Sequence, residues 1–254
     1  MKQTTVRPIK QSDNPTRAAI KQSNNPNNPT IDSVVVLSGG QDSAICLKLA
    51  CDKYGPEHVA AITFNYGQRH AIETTYARKL ARHFGVKVHK ILKLDFYKHL
   101  TTNALMNDTI AIERKKDATC PTTVVEGRNA FFLLSAGVWA KALGAKVIYT
   151  GVSQADYSGY PDCRAEFIHA QQKMMRLAML WPFTIVTPFM KMTKAEEWAL
   201  ADRLGILEYI ERETVTCYRG IPGKGCGTCP ACKLRAQGLA EYRKTLAFKN
   251  GLSS

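Results

Sequence analysis

Two groups of residues in this sequence have the types and spacing to do chemistry. The first is Ser38-Gly39-Gly40-Gln41-Asp42-Ser43. Two glycines let the backbone approach a ligand closely, and two serine hydroxyls add hydrogen-bond donors. Asp42 offers the hard oxygen that a metal ion accompanying a phosphate chain takes. The second group is Cys217, Cys226, Cys229 and Cys232, spaced C-x8-C-x2-C-x2-C. Gly227 and Pro230 are turn residues, and a two-residue spacer lets a tight turn bring both sulfurs to one ion. Four thiolates complete tetrahedral Zn²⁺ and leave no position for a substrate, so this site reads as structural. An iron–sulfur cluster takes the same ligands. Disulfides are the third reading and the one a reducing compartment disfavours.

The phosphate-binding reading depends on the elements around the first group. Val34-Val35-Val36-Leu37 is a run of four apolar residues, three of them β-branched, which predicts a strand buried on both faces. An amphipathic helix begins around Asp42, with Ala44, Leu47 and Cys51 on one face and Ile45 and Leu49 beside them. A strand, a glycine turn and a helix start together form an anion site, because the free N–H groups of the first helical turn point at the ligand. Further strands are predicted at His58–Phe64, Val86–Leu94, Val147–Val152 and Phe183–Pro188. A helix marked by Ile72, Tyr76, Leu80 and Phe84 separates the first two of these, and a long helix near 164–180 precedes the last. This alternation predicts a doubly wound α/β domain with a mainly parallel sheet covered on both sides. Ligands on such sheets bind beyond the carboxyl ends of the strands. The expected contacts of a phosphate-bearing ligand such as ATP are therefore Leu37, Ser38, Gly39, Gly40, Gln41, Asp42, Ser43, Ala44, Ile45, Cys46 and Leu47, facing Asn65, Tyr66 and Gly67.

Two cations stand where helix physics alone would not put them. Arg128, in Gly127-Arg128-Asn129, opens a helix with Phe132, Ser135, Ala136 and Trp139 on one face. Lys194 lies in the first turn after Thr193, which with Glu196 forms a capping box; that helix runs through Trp198, Ala201 and Leu204 to Gly205. Each charge opposes the helix macrodipole. A bound anion would remove the conflict, and a side chain pointing into water is the alternative for Arg128. The loop Gln154–Arg164 offers two acids, two tyrosines and an arginine. An acid can accept from the N–H groups of a purine-like base, a tyrosine can stack on it, and an arginine can pair with a carboxylate. A decorated surface turn is the alternative there.

The chain divides into a flexible polar extension (1–32), an ATP-binding domain (33–210) and a C-terminal metal lobe (211–254). Residues 95–126 read as a loop-rich insertion, and Lys233–Phe248 as a basic helix. The extension is rich in Asn, Pro and Gln and has too little apolar surface to offset the entropy of ordering. No run of eighteen apolar residues predicts a membrane helix, and the first residues lack the apolar core of a signal peptide, so a cytoplasmic protein is expected. The formal net charge of +14 suits an anionic partner, either ATP or nucleic acid. Cys46 and Cys51 are expected in the core, while Cys120 and Cys163 lie in loops where a nucleophile would be accessible.

Ser-Gly-Gly-Gln-Asp-Ser resembles the pyrophosphate loop of the N-type ATP pyrophosphatases, which cleave ATP between the α and β phosphates. It lacks the Gly-Lys-Ser/Thr of a Walker loop. Taken in order, Ser38–Ser43, Gly127–Asn129, Asp156–Arg164, Thr193–Glu196 and the four cysteines resemble the 7-cyano-7-deazaguanine synthase family of the queuosine pathway, over roughly residues 33–245. The resemblance implies an adenine nucleotide α-hydrolase-like fold and a homodimeric ligase acting on 7-carboxy-7-deazaguanine, ammonia and ATP, with Mg²⁺ and structural Zn²⁺. It further implies catalytic roles for Asp42, Lys194 and Arg128, and substrate orientation by Tyr157, Asp162 and Arg164. Two features depart from the family pattern: Glu126 stands where proline usually precedes Gly-Arg-Asn, and the polar extension is long. Two other readings remain open. A tRNA thiolase of the same superfamily would need Cys163 or Cys120 as nucleophile. A non-catalytic zinc module would bind nucleic acid through the basic tail; the phosphate loop argues for small-molecule substrates instead.

Overall fold

The computed structural model describes residues 29–67, 72–100, 124–154 and 160–251. Most of the polar extension, Cys120, Tyr157 and much of the 95–126 insertion lie outside the described residues. Five strands form one sheet: β1 (Ser33–Val36), β2 (Val59–Asn65), β3 (Val88–Lys93), β4 (Val147–Tyr149) and β5 (Thr184–Val186). Their order is β3-β2-β1-β4-β5, and every neighbouring pair is parallel. Ser33 lies opposite both Val59 and Val147, so β1 is the central strand.

Two apolar layers cover the sheet because successive side chains of a strand point to opposite faces. Val35, Val59, Ala61 and Tyr149 join one core cluster with α1 (Gln41–Tyr54), α2 (Ile72–His83), α5 (Lys194–Arg203) and α6 (Leu207–Glu213). Val34, Ala60, Ile62, Ile148 and Ile185 join the other, with α3 (Arg128–Leu143) and α4 (Ala165–Met179). Val34 and Val35 are both fully buried, each contributing about 1.5–3 kcal/mol. That burial is why the run showed no polar alternation. The final helix, α7 (Pro230–Gly251), packs Leu239 and Tyr242 against the α5 side. The α/β, doubly wound expectation is met, with a cysteine lobe at the C-terminal end.

Some local expectations shift. The paired parts of β4 and β5 are three residues each, shorter than the apolar runs that announced them. Of the expected face on α3, Ala136 is buried, while Phe132, Ser135 and Trp139 are half-buried; Leu133, Gly137 and Ala140 complete the buried side. Phe132 stacks on Phe64 at 4.2 Å between centroids. Large aromatic side chains pulled the face assignment to one side, because small residues are what let α3 sit close to its neighbours. α7 starts at Pro230, three residues before the expected Lys233, so Cys232 lies in its first turn.

Candidate active site

The order β3-β2-β1-β4-β5 reverses direction at β1, and the crevice beyond the carboxyl ends of β1 and β4 is where such sheets take ligands. The loop Ser38-Gly39-Gly40 leaves β1 at this point, and α1 begins at Gln41. Ser43 Oγ holds the loop: it accepts from Ser38 N at 3.2 Å and from Ser38 Oγ at 3.1 Å, and it donates to the Gly40 carbonyl at 3.0 Å. Gly39 has φ +93°, and a Cβ there would lie 2.5 Å from the Glu73 carbonyl oxygen, so only glycine fits. The N–H groups of Asp42 and Ser43 have no acceptor among the described residues, the arrangement that receives an anion.

The other expected ATP contacts divide by burial. Leu37, Ala44, Ile45, Cys46 and Leu47 are fully buried core residues and bring no side chain to the crevice. Gln41 is 1 % exposed, and both polar atoms of its amide lack a partner among the described residues. Asn65 folds back to accept from Gly67 N at 3.3 Å, and Tyr66 is buried against α3.

The charge on Lys194 is answered within the protein. Its Nζ lies 3.0 Å from Asp42 Oδ1 and 2.7 Å from Glu197 Oε2, and Lys194 is only 8 % exposed. Asp42 keeps 31 % of its side chain accessible, while Glu197 keeps none. One cation cannot balance two carboxylates away from water, so the deeper one keeps its proton. Burial pushes the Glu197 carboxyl up to about 10; the charge on Asp42 adds to the rise and Lys194 opposes it. Lys194 and Asp42 thus form the ion pair, with Glu197 a neutral acceptor behind them. Two glycines set the spacing. A Cβ on Gly151, just after β4, would lie 2.9 Å from Asp42 Cβ, and one on Gly238 of α7 would lie 2.7 Å from Lys194 Cβ.

The capping box is present: Thr193 Oγ1 accepts from Glu196 N at 3.3 Å, and Glu196 Oε2 accepts from Thr193 N at 2.8 Å.

Arg128 does not point into bulk water. It is half-buried, donates from Nη1 to the Tyr66 hydroxyl at 3.3 Å, and lies 5.8 and 5.9 Å from the ring centroids of Tyr66 and Tyr160. The dipole conflict is answered by Asp162, whose Oδ2 accepts from Asn129 N at 2.9 Å in the first turn of α3. The Glu126 departure is also explained. Arg128 N donates to the Val125 carbonyl at 3.1 Å, and Gly127 has φ 68° and ψ 12°. This is the third position of a type II-like turn, whose second position favours proline without demanding it. Asp162 Oδ1 is buried without a partner among the described residues, and Arg164 is exposed at the N-cap of α4.

Apart from Ser33 Oγ, the buried side-chain atoms without a partner among the described residues belong to Gln41, Ser153, Asp162 and Glu197. All four follow β1, β4 or β5 at the carboxyl edge. Unpaired buried polar atoms are rare, and their gathering here marks a place for water or a polar ligand. Ser153, Glu197 and Gly151 have no signal in the sequence beyond the i, i+3 spacing of Lys194 and Glu197.

In the C-terminal lobe, the ligand atoms of Cys217, Cys226, Cys229 and Cys232 all lie within 4.8 Å of one another, and Cys226 and Cys232 sulfurs are 3.9 Å apart. A tetrahedral ion with bonds of about 2.3 Å needs sulfurs about 3.8 Å apart, so this all-thiolate set fits one zinc ion. A multi-iron cluster would spread its ligands over separate irons. The described cysteines are unbridged. Thr228 Oγ1 and Cys229 N donate to Cys226 Sγ at 3.4 and 3.3 Å, and with these donors the thiol falls to about 5.

A parallel five-stranded sheet, with the Ser38–Ser43 loop at its reversal point and the Lys194–Asp42 pair beside it, is an α/β fold of the kind that ATP-dependent PP-loop enzymes have. The model of the queuosine biosynthesis protein QueC family matches residues 32–243, and the chain belongs to that family. Its activity is therefore that of an ATP-dependent, ligase-type enzyme of queuosine biosynthesis. Among solved structures, the chain is similar to NMN synthetase from Francisella tularensis, with 15 % identity over 85 % of this chain and 81 % of that one (TM-score 0.48). It is also similar to the NH3-dependent NAD synthetase from Campylobacter jejuni, with 16 % identity over 76 % and 72 % of the two chains (TM-score 0.45). No helix among the described residues is long and apolar enough to cross a membrane.

Proposed function

We propose that the protein is an ATP-dependent ligase converting 7-carboxy-7-deazaguanine and ammonia to 7-cyano-7-deazaguanine. The observation that carries this reading is the Lys194–Asp42 pair at 3.0 Å, beside the free N–H groups of the phosphate loop, in a chain of the QueC family. A carboxylate is unreactive toward ammonia until one oxygen becomes a leaving group. In the first half-reaction the substrate carboxylate attacks the α-phosphorus of ATP and pyrophosphate departs. Ammonia then adds to the acyl carbon, AMP leaves and a proton is lost, giving the amide. In the second, the amide oxygen attacks the α-phosphorus of a second ATP and pyrophosphate departs; loss of AMP and two protons then forms the nitrile.

Ser38, Gly39, Gly40 and Ser43 bind the phosphates, with the N–H groups of the first turn of α1. Asp42, one-third exposed, would hold Mg²⁺ with the phosphate oxygens, a role that one carboxylate suffices for. Lys194, and Arg128 across the crevice, stabilise the negative charge that grows on departing pyrophosphate. Asp162 Oδ1 accepts from the N–H edge of the deazapurine, with Tyr157 and Arg164 completing its orientation. The lobe cysteines hold structural Zn²⁺. The enzyme works as a cytoplasmic homodimer, on the family pattern.

A thiolase would need a reactive thiolate, and burial, with the charge on Asp162 adding, pushes the Cys163 thiol up to about 12. The deciding experiment incubates the protein with ATP, ammonia and 7-carboxy-7-deazaguanine and follows products by mass spectrometry. Nitrile and AMP are expected. Accumulation of amide alone, or no ATP consumption, would sink the proposed reaction.

A further inference from the structure

Thr216 immediately precedes the first lobe cysteine, and its hydroxyl is held from two sides. Arg235 Nη1 donates to Thr216 Oγ1 at 2.8 Å, and the first amide of α1, Gln41 N–H, donates to it at 3.4 Å. Arg235 is 5 % exposed and spends its other donors inside the protein: on Thr214 Oγ1 at 2.7 Å, the Ile210 carbonyl at 2.8 Å and the Glu211 carbonyl at 3.2 Å. Its guanidinium also lies 5.2 Å from the centre of the Trp198 ring. One residue before Thr216, Val215 N donates to the Gly39 carbonyl at 2.9 Å. The segment entering the cysteine lobe is therefore pinned to the phosphate loop at Gly39 and again at Gln41.

A threonine hydroxyl has two acceptor lone pairs and one proton to donate. Both lone pairs of Thr216 face protein N–H groups. Its proton has no acceptor among the described residues. A group left able only to donate, half-exposed at the mouth of a loop already rich in free N–H groups, suits a ligand that only accepts. Phosphate oxygens are such a ligand.

We propose that Thr216 is a ligand of the nucleotide's phosphate chain, supplied by the cysteine lobe and aimed by Arg235. This rests on the nucleotide reading of Ser38–Ser43. Thr216 adjoins Cys217, and Arg235 lies one helical turn beyond Cys232, so both partners are anchored by the residues that converge on the metal position. The lobe thereby shapes the nucleotide site without contributing to it through the metal.

The test uses the full, metal-loaded chain and calorimetric titration with pyrophosphate, a non-hydrolysable ATP analogue and AMP. Thr216→Val keeps the shape of the side chain and removes the hydroxyl; Thr216→Ser keeps the hydroxyl. The valine variant should bind pyrophosphate and the ATP analogue roughly tenfold or more weakly, the effect of one charge-assisted hydrogen bond. AMP affinity and zinc content should stay unchanged, and the serine variant should recover most of the loss. If the valine variant does not fold, Thr216→Ala is compared with the serine variant in the same way. Equal weakening toward AMP, or loss of zinc, marks a purely structural residue and overturns the proposal. Tight wild-type binding that the valine leaves untouched overturns it alone. A wild-type chain that binds neither pyrophosphate nor the ATP analogue overturns the nucleotide reading as well.

Discussion

Lys194 Nζ lies 3.0 Å from Asp42 Oδ1, although 152 residues separate them in the chain. The pair joins the first turns of α1 and α5, two helix starts that the parallel sheet brings to the same edge. In the proposed mechanism, the carboxylate holds this cation until a phosphate chain shares it.

Replacing Lys194 by methionine leaves Asp42 and Glu197 facing each other with no cation between them. Removing one partner of a buried pair costs about 3 kcal/mol or more, read as a lower urea midpoint. Product formation should fall about 100-fold or more, since the charge on departing pyrophosphate loses its donor. Wild-type turnover in a folded Lys194→Met protein would remove Lys194 from the mechanism.

Glu197 makes stability depend on pH in a defined direction. Burial holds its folded carboxyl far above the usual glutamate value of about 4.3, up to about 10. Between those values the native state holds a proton that the unfolded chain has released. This group's contribution is therefore complete below pH 4.3 and declines as pH rises, by at most about 1.4 kcal/mol per pH unit. Glu197→Gln mimics the protonated form and should remove that decline. Denaturation curves of both proteins from pH 5 to 9 should diverge in favour of the variant as pH increases; parallel curves would mean that Glu197 is ionised.

Gly151→Ala should injure nucleotide use without touching the lobe. The new Cβ would lie 2.9 Å from Asp42 Cβ and 3.1 Å from Ser43 N, so the start of α1 must move. Overpacking of this kind costs about 1–3 kcal/mol. A raised KM for ATP with unchanged zinc content is expected, and unaltered kinetics would show that the loop tolerates the shift.

Metal removal should act through folding. The purified chain should carry one zinc, and rebinding to the stripped protein should release protons as the Cys232 and Cys229 thiols, both raised by burial, become thiolates. Chelation should lower the thermal midpoint by on the order of 10 °C. Metal analysis finding iron, or a melting curve indifferent to chelator, would reject the zinc assignment.

Much of this protein was legible in residues that lie near one another in the chain. The valine run and the glycine turn announced β1 and the start of α1, because burial on both faces and a close backbone approach each demand particular residue types locally. The Thr193–Glu196 cap and the cysteine spacing were readable for the same reason: the partners of each lie within one short stretch of chain. The alternation of strands and helices implied a parallel sheet, and hence which loops would share an edge.

Tertiary structure alone decided what those loops do to each other. The neutralisation of Lys194 by Asp42, the proton kept on Glu197, the capping of α3 by Asp162 and the grip of Arg235 on Thr216 join residues from 3 to 152 positions apart. Even the shortest of these, Lys194 with Glu197, owes its protonation state to burial that no neighbouring residue reveals. Periodicity and turn chemistry record the needs of a segment. Ionisation, hydrogen-bond satisfaction and close packing depend on which segments meet and how much water they exclude, and those are set only when the sheet has been assembled.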